Sequence, residues 1–292
     1  MSTLSVGIFF FSGTGNTEIV ANLLTRELEH QGCQVETFAI DQALIQQAPR
    51  DLGDYDLLGL GYPIHAFNAP RIFFDFIKRL PTVQGQRTFV FRDSGDPLWH
   101  GGATNMVRGR LRRKGYDVFR EDLFVMPANI FIGYDDRLVK QLYDKAVSKA
   151  QVTVSEILTG QSKLARNSVF LRAISWAFSR SESLGARFFG RNLRASTACT
   201  LCEKCVRDCP MGNISIVDGQ VRFGWNCTLC MRCVYRCPVD AISPRVVKFA
   251  VIEGGYDIHR VIADPDVKGD FVSPTTQGYF ASFREYFESP GT

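Results

Sequence analysis

Histidine is scarce in this chain, four in 292 residues, and no apolar run approaches the roughly 18 residues of a spanning helix. The first shortage leaves no histidine-based metal set, and the second argues against a membrane-spanning segment. The opening MSTLSVGIFFFSG lacks a basic n-region and a small-residue cleavage site, so it reads as a buried first strand rather than an export signal. Two phosphate-binding spacings are also missing. There is no G-x-x-x-x-G-K, and Glu18 occupies the third glycine position of a G-x-G-x-x-G, which speaks against direct use of NAD(P)H. No acid–base pair or nucleophilic triad stands out, so no catalytic residue is assigned. Net charge is only +4 and no nucleic-acid motif accompanies it, so nucleic acid is not an expected partner.

Cysteine is not scarce. Eight of the nine fall into two runs of identical spacing, Cys199, Cys202, Cys205, Cys209-Pro210 and Cys227, Cys230, Cys233, Cys237-Pro238. The pattern C-x2-C-x2-C-x3-C-P, written twice, is the ligand set of two cubane iron–sulfur clusters. Three thiolates in a tight loop each reach one corner of one cube, and the fourth, followed by proline, leaves the loop for the other cube. Cys199, Cys202, Cys205 and Cys237 then hold one [4Fe–4S] cluster; Cys227, Cys230, Cys233 and Cys209 hold the second. Structural zinc also favours paired Cys-x2-Cys, but not three cysteines at successive x2 spacings with a proline-backed fourth. A disulfide framework belongs to short secreted chains. Oxygen-sensitive ligands without an export signal point to a reducing cytoplasm. Cys33, beside Gly32, reads as an inert small residue.

Residues 197–243 resemble a bacterial dicluster ferredoxin on this motif. The N-terminal half has a different character. Ser5 to Phe11 is an apolar run suited to a strand buried on both faces, and it passes through Ser12-Gly13-Thr14-Gly15-Asn16-Thr17 into a helical pattern. Strand, hydroxyl-rich loop, then helix N-terminus is an arrangement that binds phosphate, here without a lysine, and so suited to a phosphate monoester. A capping turn is the competing reading of the same residues. Second and third strands over Tyr55–Gly61 and Thr88–Phe91 run into loops that meet the first at the carboxyl edge of an open sheet.

The SGTGNT loop is similar to the phosphate loop of flavodoxins, and the resemblance extends over about residues 3–158. It implies an α/β flavodoxin-like, doubly wound parallel sheet that binds FMN. Ser12 to Thr17 would take the phosphate; Tyr62, Pro63, His65, Phe67 and Asn68, with Asp93, Ser94, Gly95, Trp99 and Gly101, would flank the isoalloxazine ring. Tyr62, Phe67 and Trp99 read equally well as ordinary packing; His65 and His100 also read as polar loop residues. A dense acidic surface, usual in carrier flavodoxins, is lacking.

Four segments follow: a flavodoxin-like domain over 1–160, closed by a helix from about Arg137 to Leu158; a basic linker over 161–196; a small α+β ferredoxin domain over 197–246; and an extension over 247–292. Basic residues outnumber acidic ones seven to one in 161–198, whereas 251–292 is acidic. Phe170, Leu171, Ile174, Ala177 and Phe178 share a face in Arg166–Arg191, which reads first as an inter-domain helix packed on the flavodoxin core, then as a partner-docking helix, and last as a membrane-surface helix. Tyr279, Phe280, Phe283, Tyr286 and Phe287 repeat the pattern and are expected to close over one domain.

The whole resembles the family of ferredoxins with an N-terminal flavodoxin-like domain. The resemblance implies electron transfer between FMN, two [4Fe–4S] clusters and a redox partner protein. An FMN-dependent reductase for a small substrate or quinone, and a redox sensor or docking module, are the alternatives. Monomer and homodimer both stay open.

Overall fold

The computed structural model describes residues 3–47, 55–65, 67–98, 104–165, 181 and 183–289. Five strands, β1 (Ser5–Phe10), β2 (Gln34–Ala39), β3 (Leu57–Pro63), β4 (Gln86–Ser94) and β5 (Tyr116–Val125), form one sheet in the order β2-β1-β3-β4-β5. Every pairing is parallel. This is the flavodoxin-like strand order, in which ligands meet the carboxyl ends of β1 and β3 at the switch point.

Helices cover both faces, as a parallel sheet requires. Helices α1 (Asn16–His30) and α5 (Asp136–Leu158) bury Val20, Leu24, Ala146 and Val154 against Val6, Ile8, Phe89 and Phe91. On the other face α3 (Arg71–Arg79) and α4 (Asn105–Arg113) bury Ile72, Phe73, Phe76 and Leu111 against Phe9, Leu58, Leu60 and Tyr62; α2 (Gln42–Gln47) lies beside α3. Each such side chain contributes about 1.5–3 kcal/mol through burial.

Two strands escape the sequence pattern. β2 is an edge strand, exposed along most of its length. β5 carries Arg120, Glu121 and Asp122, all at least 96% buried, so its charges hide its central place. They are reconciled by pairing: Arg120 Nε meets Asp122 Oδ2 at 2.6 Å, its Nη2 binds Glu156 on α5, and Arg108 Nη1 meets Glu121 Oε2 at 2.7 Å.

The second unit opens with a helical stretch, α6 (183–192), and continues through β6 (Leu193–Ala195), α7 (Lys204–Arg207), β7 (Ile214–Val217), β8 (Gln220–Phe223), α8 (Arg232–Tyr235) and β9 (Ile242–Pro244). β6 pairs antiparallel with β9, and β7 with β8, so the first and last strands close the unit. Phe170, Leu171, Ile174, Ala177 and Phe178 of the basic stretch lie outside the described residues. Its described end, α6, buries Phe189 with Ile214, Val234 and Ile242 in the core of this second unit, rather than on the flavodoxin core.

The tail returns to the sheet domain. Ile258 and Val261 of α9 (Ile258–Ala263) join the α1/α5 core, and Phe283 and Tyr286 of α10 (Phe283–Glu288) pack on Val125, Leu138 and Leu142. No helix among the described residues is long and apolar enough to cross a membrane.

Candidate redox site

The two cysteine loops repeat each other in backbone as well as in spacing. Leu201 and Glu203 in the first, and Leu229 and Met231 in the second, take left-handed conformations at matching positions, with φ between 55° and 61°. Each loop then enters a one-turn helix, α7 or α8. A left-handed residue costs about 1 kcal/mol or more away from glycine, so four of them mark loops shaped for something other than packing. Amide groups turn toward sulfur: Asn213 N–H donates to Cys209 Sγ at 3.2 Å, and Ala241 N–H, at the equivalent position, donates to Cys237 Sγ at 3.3 Å.

Two cavities result. Cys199, Cys202, Cys205 and Cys237 line the first, with Ile216, Val221 and Ile242. Cys209, Cys227 and Cys230 line the second, with Ile214 and Val234, and Cys233 borders both. The proline-backed cysteines thus sit across from their own triplets. Four thiols in a largely apolar enclosure, with amides aimed at sulfur, fit a cubane cluster. Burial pushes the Cys227 thiol up to about 12 and Cys233 well above its ordinary value. Iron binding must therefore displace protons from them. Cys202 is exposed, and hydrogen bonding from the Lys204 backbone lowers it.

At the carboxyl edge of the sheet, a cavity of about 110 Å³ is lined by Ser12, Gly13, Thr14, Asn16, Thr17, Pro63, His65, Asp93, Ser94 and Gly95. These ten of the sixteen residues expected there come together. Gly15 instead meets the tail: a Cβ built on it would stand 3.2 Å from His259 Nε2. Tyr62 is a correction. It is fully buried, its ring centroid 4.6 Å from that of Phe73, because it belongs to the α3 face of the sheet. Asn68 is buried as well and ties a tight turn, exchanging backbone hydrogen bonds with His65, while Phe67 takes the left-handed position within it; neither lines the cavity. Trp99 and Gly101, like His100, lie outside the described residues. Pro127, Ala128, Asn129 and Ile130, after β5, and Ile64 complete the lining. The sequence could have flagged them, since a fifth strand brings a fourth loop to the same edge.

Most loop side chains already have partners. Ser12 Oγ accepts from Gly15 N–H at 3.2 Å, and Thr14 Oγ1 accepts from Asn129 Nδ2 at 2.8 Å. Asn16 donates to Pro127 O at 2.8 Å and accepts from the Tyr256 hydroxyl. Thr17 donates to Asp93 Oδ1 at 2.5 Å. Burial pushes the Asp93 carboxyl up to about 7, against the pull of that hydrogen bond. The cavity suits the phosphate end of a mononucleotide, facing the first amides of α1. At about 110 Å³ it is smaller than the ~300 Å³ of a complete cofactor pocket. Asp93 must carry a proton for a phosphate dianion to settle beside it.

The two sites touch. Cys230 is 8% exposed and packs into the sheet domain's core with Phe11 and Tyr62. Arg232 donates from Nε to Gly13 O at 3.2 Å, from Nη2 to Ser12 O, and from Nη1 to Asp208 O at 3.1 Å. His65 hydrogen-bonds the Thr228 backbone, and its enclosure between the units lowers its imidazole to about 4. Tyr235 OH donates to Asn129 O at 3.0 Å and accepts from Ile252 N–H at 2.9 Å, linking loop, cysteine unit and tail.

A family model described as a 4Fe–4S dicluster domain matches residues 191–238. No curated protein matches the chain. Among solved structures, the chain is similar to rubredoxin oxygen:oxidoreductase from the anaerobe Desulfovibrio gigas, at 17% identity and a TM-score of 0.40 over 55% of this chain and 37% of that one. It thus spans little more than a third of that protein. It is also similar to the two-electron reduced flavodoxin of Megasphaera elsdenii, at 24% identity and a TM-score of 0.36 over 41% and 85% of the two chains. A third is an NAD(P)H:quinone oxidoreductase from Methanothermobacter marburgensis, at 12% identity and a TM-score of 0.43 over 57% and 100%. The motif, the family match and the strand order together make this a chain in which a 4Fe–4S dicluster domain follows a flavodoxin-like domain.

Proposed function

We propose that the chain is an electron-transfer protein that carries two [4Fe–4S] clusters and FMN and exchanges electrons with a redox partner protein. The observation that carries this reading is the contact of the Cys227–Cys233 loop with the loop after β1, through Arg232 and the Gly13–Cys230 approach. One cysteine set thereby adjoins the mononucleotide-type cavity, while the set with the exposed Cys202 faces outward. Bound there, the clusters would supply one-electron steps and FMN a two-electron store.

The residues divide the work. Cys199, Cys202, Cys205 and Cys237 are assigned to the outward cluster; Cys209, Cys227, Cys230 and Cys233 to the inward one. The α1 amides and Ser12 to Thr17 are assigned to the phosphate, with Asp93 holding the proton that admits it. Arg232 and His65 fix the inward loop against the sheet domain, so that transfer does not wait on domain docking. A reducing interior compartment is the setting in which eight thiols stay available to iron. A substrate pocket lined by Tyr62, His65 and Trp99 would favour the reductase alternative, and Tyr62 lies in the core instead.

The test is iron, acid-labile sulfide and FMN per chain in protein purified without oxygen, followed by redox titration. The expected contents are about eight iron, about eight sulfide and about one FMN. Filled clusters with no FMN after reconstitution would leave a dicluster carrier whose N-terminal domain only docks.

A further inference from the structure

Beside the outward cysteine loop runs a groove of about 320 Å³ that neither the cluster motif nor the flavin loops account for. Four arginines line it: Arg191 from α6, Arg194 from β6, Arg222 from β8, and Arg245 just beyond β9. No carboxylate among the described residues lines it. All four are exposed, and among the described residues none forms an ion pair and their one side-chain hydrogen bond is Arg191 Nη1 to Phe223 O at 3.4 Å. Buried Arg120, by contrast, is matched by Asp122 and Glu156. Four like charges gathered in one concavity repel one another and focus a positive potential.

The groove shares walls with the outward cluster cavity, since Cys199, Leu201 and Val221 line both. Leu201, Val217 and Val239 stand 43%, 48% and 39% exposed in this part of the molecule. Apolar side chains bordered by arginine are the composition of a protein-docking surface. The chain's own acidic tail is not the occupant, because it is tied to the other domain through Gln141 and Val272, and through Arg260 and Asp136.

We infer that this arginine groove is the docking site for an acidic electron-carrier protein, which it draws to the outward cluster by charge. The inference rests on the electron-transfer reading above and names the partner chemistry of its outward end. Exposed positions make charge reversal compatible with folding.

The experiment compares wild-type holoprotein with the triple variant Arg194→Glu/Arg222→Glu/Arg245→Glu. Reduced protein is mixed by stopped flow with an acidic plant-type [2Fe–2S] ferredoxin or with neutral duroquinone. Electrostatic steering is worth tenfold or more in association rate. The triple variant is therefore expected to react with the ferredoxin roughly tenfold or more slowly. The wild-type rate should fall between about 0.01 M and about 0.15 M ionic strength, with the duroquinone rate the same in both proteins. Equal ferredoxin rates with equal salt dependence, in proteins that both reduce duroquinone, overturn the docking site alone. Inorganic pyrophosphate binding that is lost in the variant, with the ferredoxin rate unchanged, overturns it in favour of a small anion. A wild-type protein that takes up no iron and reduces neither acceptor overturns the electron-transfer reading, and the docking site with it.

Discussion

Gly13 and Cys230 lie backbone against backbone: a Cβ built on Gly13 would stand 2.5 Å from the Cys230 carbonyl oxygen. Neither backbone atom can swing aside as a long side chain can, so the glycine sets how closely the cysteine loop approaches the sheet edge. Gly13→Ala is expected to destabilise the protein by about 1–3 kcal/mol, the usual range for overpacking. Gly109→Ala is the contrast, since it lies within α4 with nothing within 4 Å of its Cβ position. It should stabilise by about 0.5–1 kcal/mol. Thermal unfolding of the two variants checks both signs.

Arg232 spans the same contact with a planar fork, which lysine cannot reproduce. Arg232→Lys keeps the charge but cannot serve Ser12 O, Gly13 O and Asp208 O together. The expected loss is about 1–3 kcal/mol, the cost of leaving enclosed carbonyls unpaired. A lower urea midpoint at unchanged iron content is the signature.

Asp93 gives a pH dependence with a definite sign. Burial raises its folded-state value from 3.8 to about 7, so between those values the folded protein holds a proton that the unfolded chain releases. Stability therefore falls as pH rises through that window and levels off above about 7. Asp93→Asn still accepts from Thr17 and removes the penalty. It should raise the unfolding midpoint at pH above 7, and the gain should shrink to little near pH 4. A gain independent of pH would show that the carboxyl is not the cause.

Crossed ligation is tested by pairing substitutions. Cys199→Ala with Cys237→Ala should cost one cluster, about four iron, because both line the outward cavity. Cys199→Ala with Cys209→Ala strikes both cavities and should cost about eight. Iron analysis and electron paramagnetic resonance of the reduced proteins separate the two patterns. The reverse pattern, about eight iron lost with Cys199 and Cys237 and about four with Cys199 and Cys209, would refute the crossing.

Much of the site was legible in the sequence because it is local. Cysteine spacing, the proline behind each fourth cysteine, and a strand–loop–helix with small residues all express geometry that a dozen consecutive residues can encode. β1, β3 and β4 were readable as apolar runs. β5 was not, because Arg120, Glu121 and Asp122 break its pattern and only their partners on α4 and α5 make their burial tolerable. Tyr62 reads from the sequence equally as a flavin contact or as packing, and the pleat of β3 sets it on the α3 face.

The chain order alone determined that two identically spaced cysteine sets follow a flavodoxin-like unit. The tertiary structure decided which set faces that unit and which faces out. Arg232 and Gly13 are 219 positions apart, and no spacing rule connects them. Arg191, Arg194, Arg222 and Arg245 are scattered charges until β6 pairs with β9 beside the β7–β8 hairpin. The reason is physical: short motifs are fixed by local backbone conformation, whereas convergence of distant residues exists only once hydrophobic burial has packed the elements together.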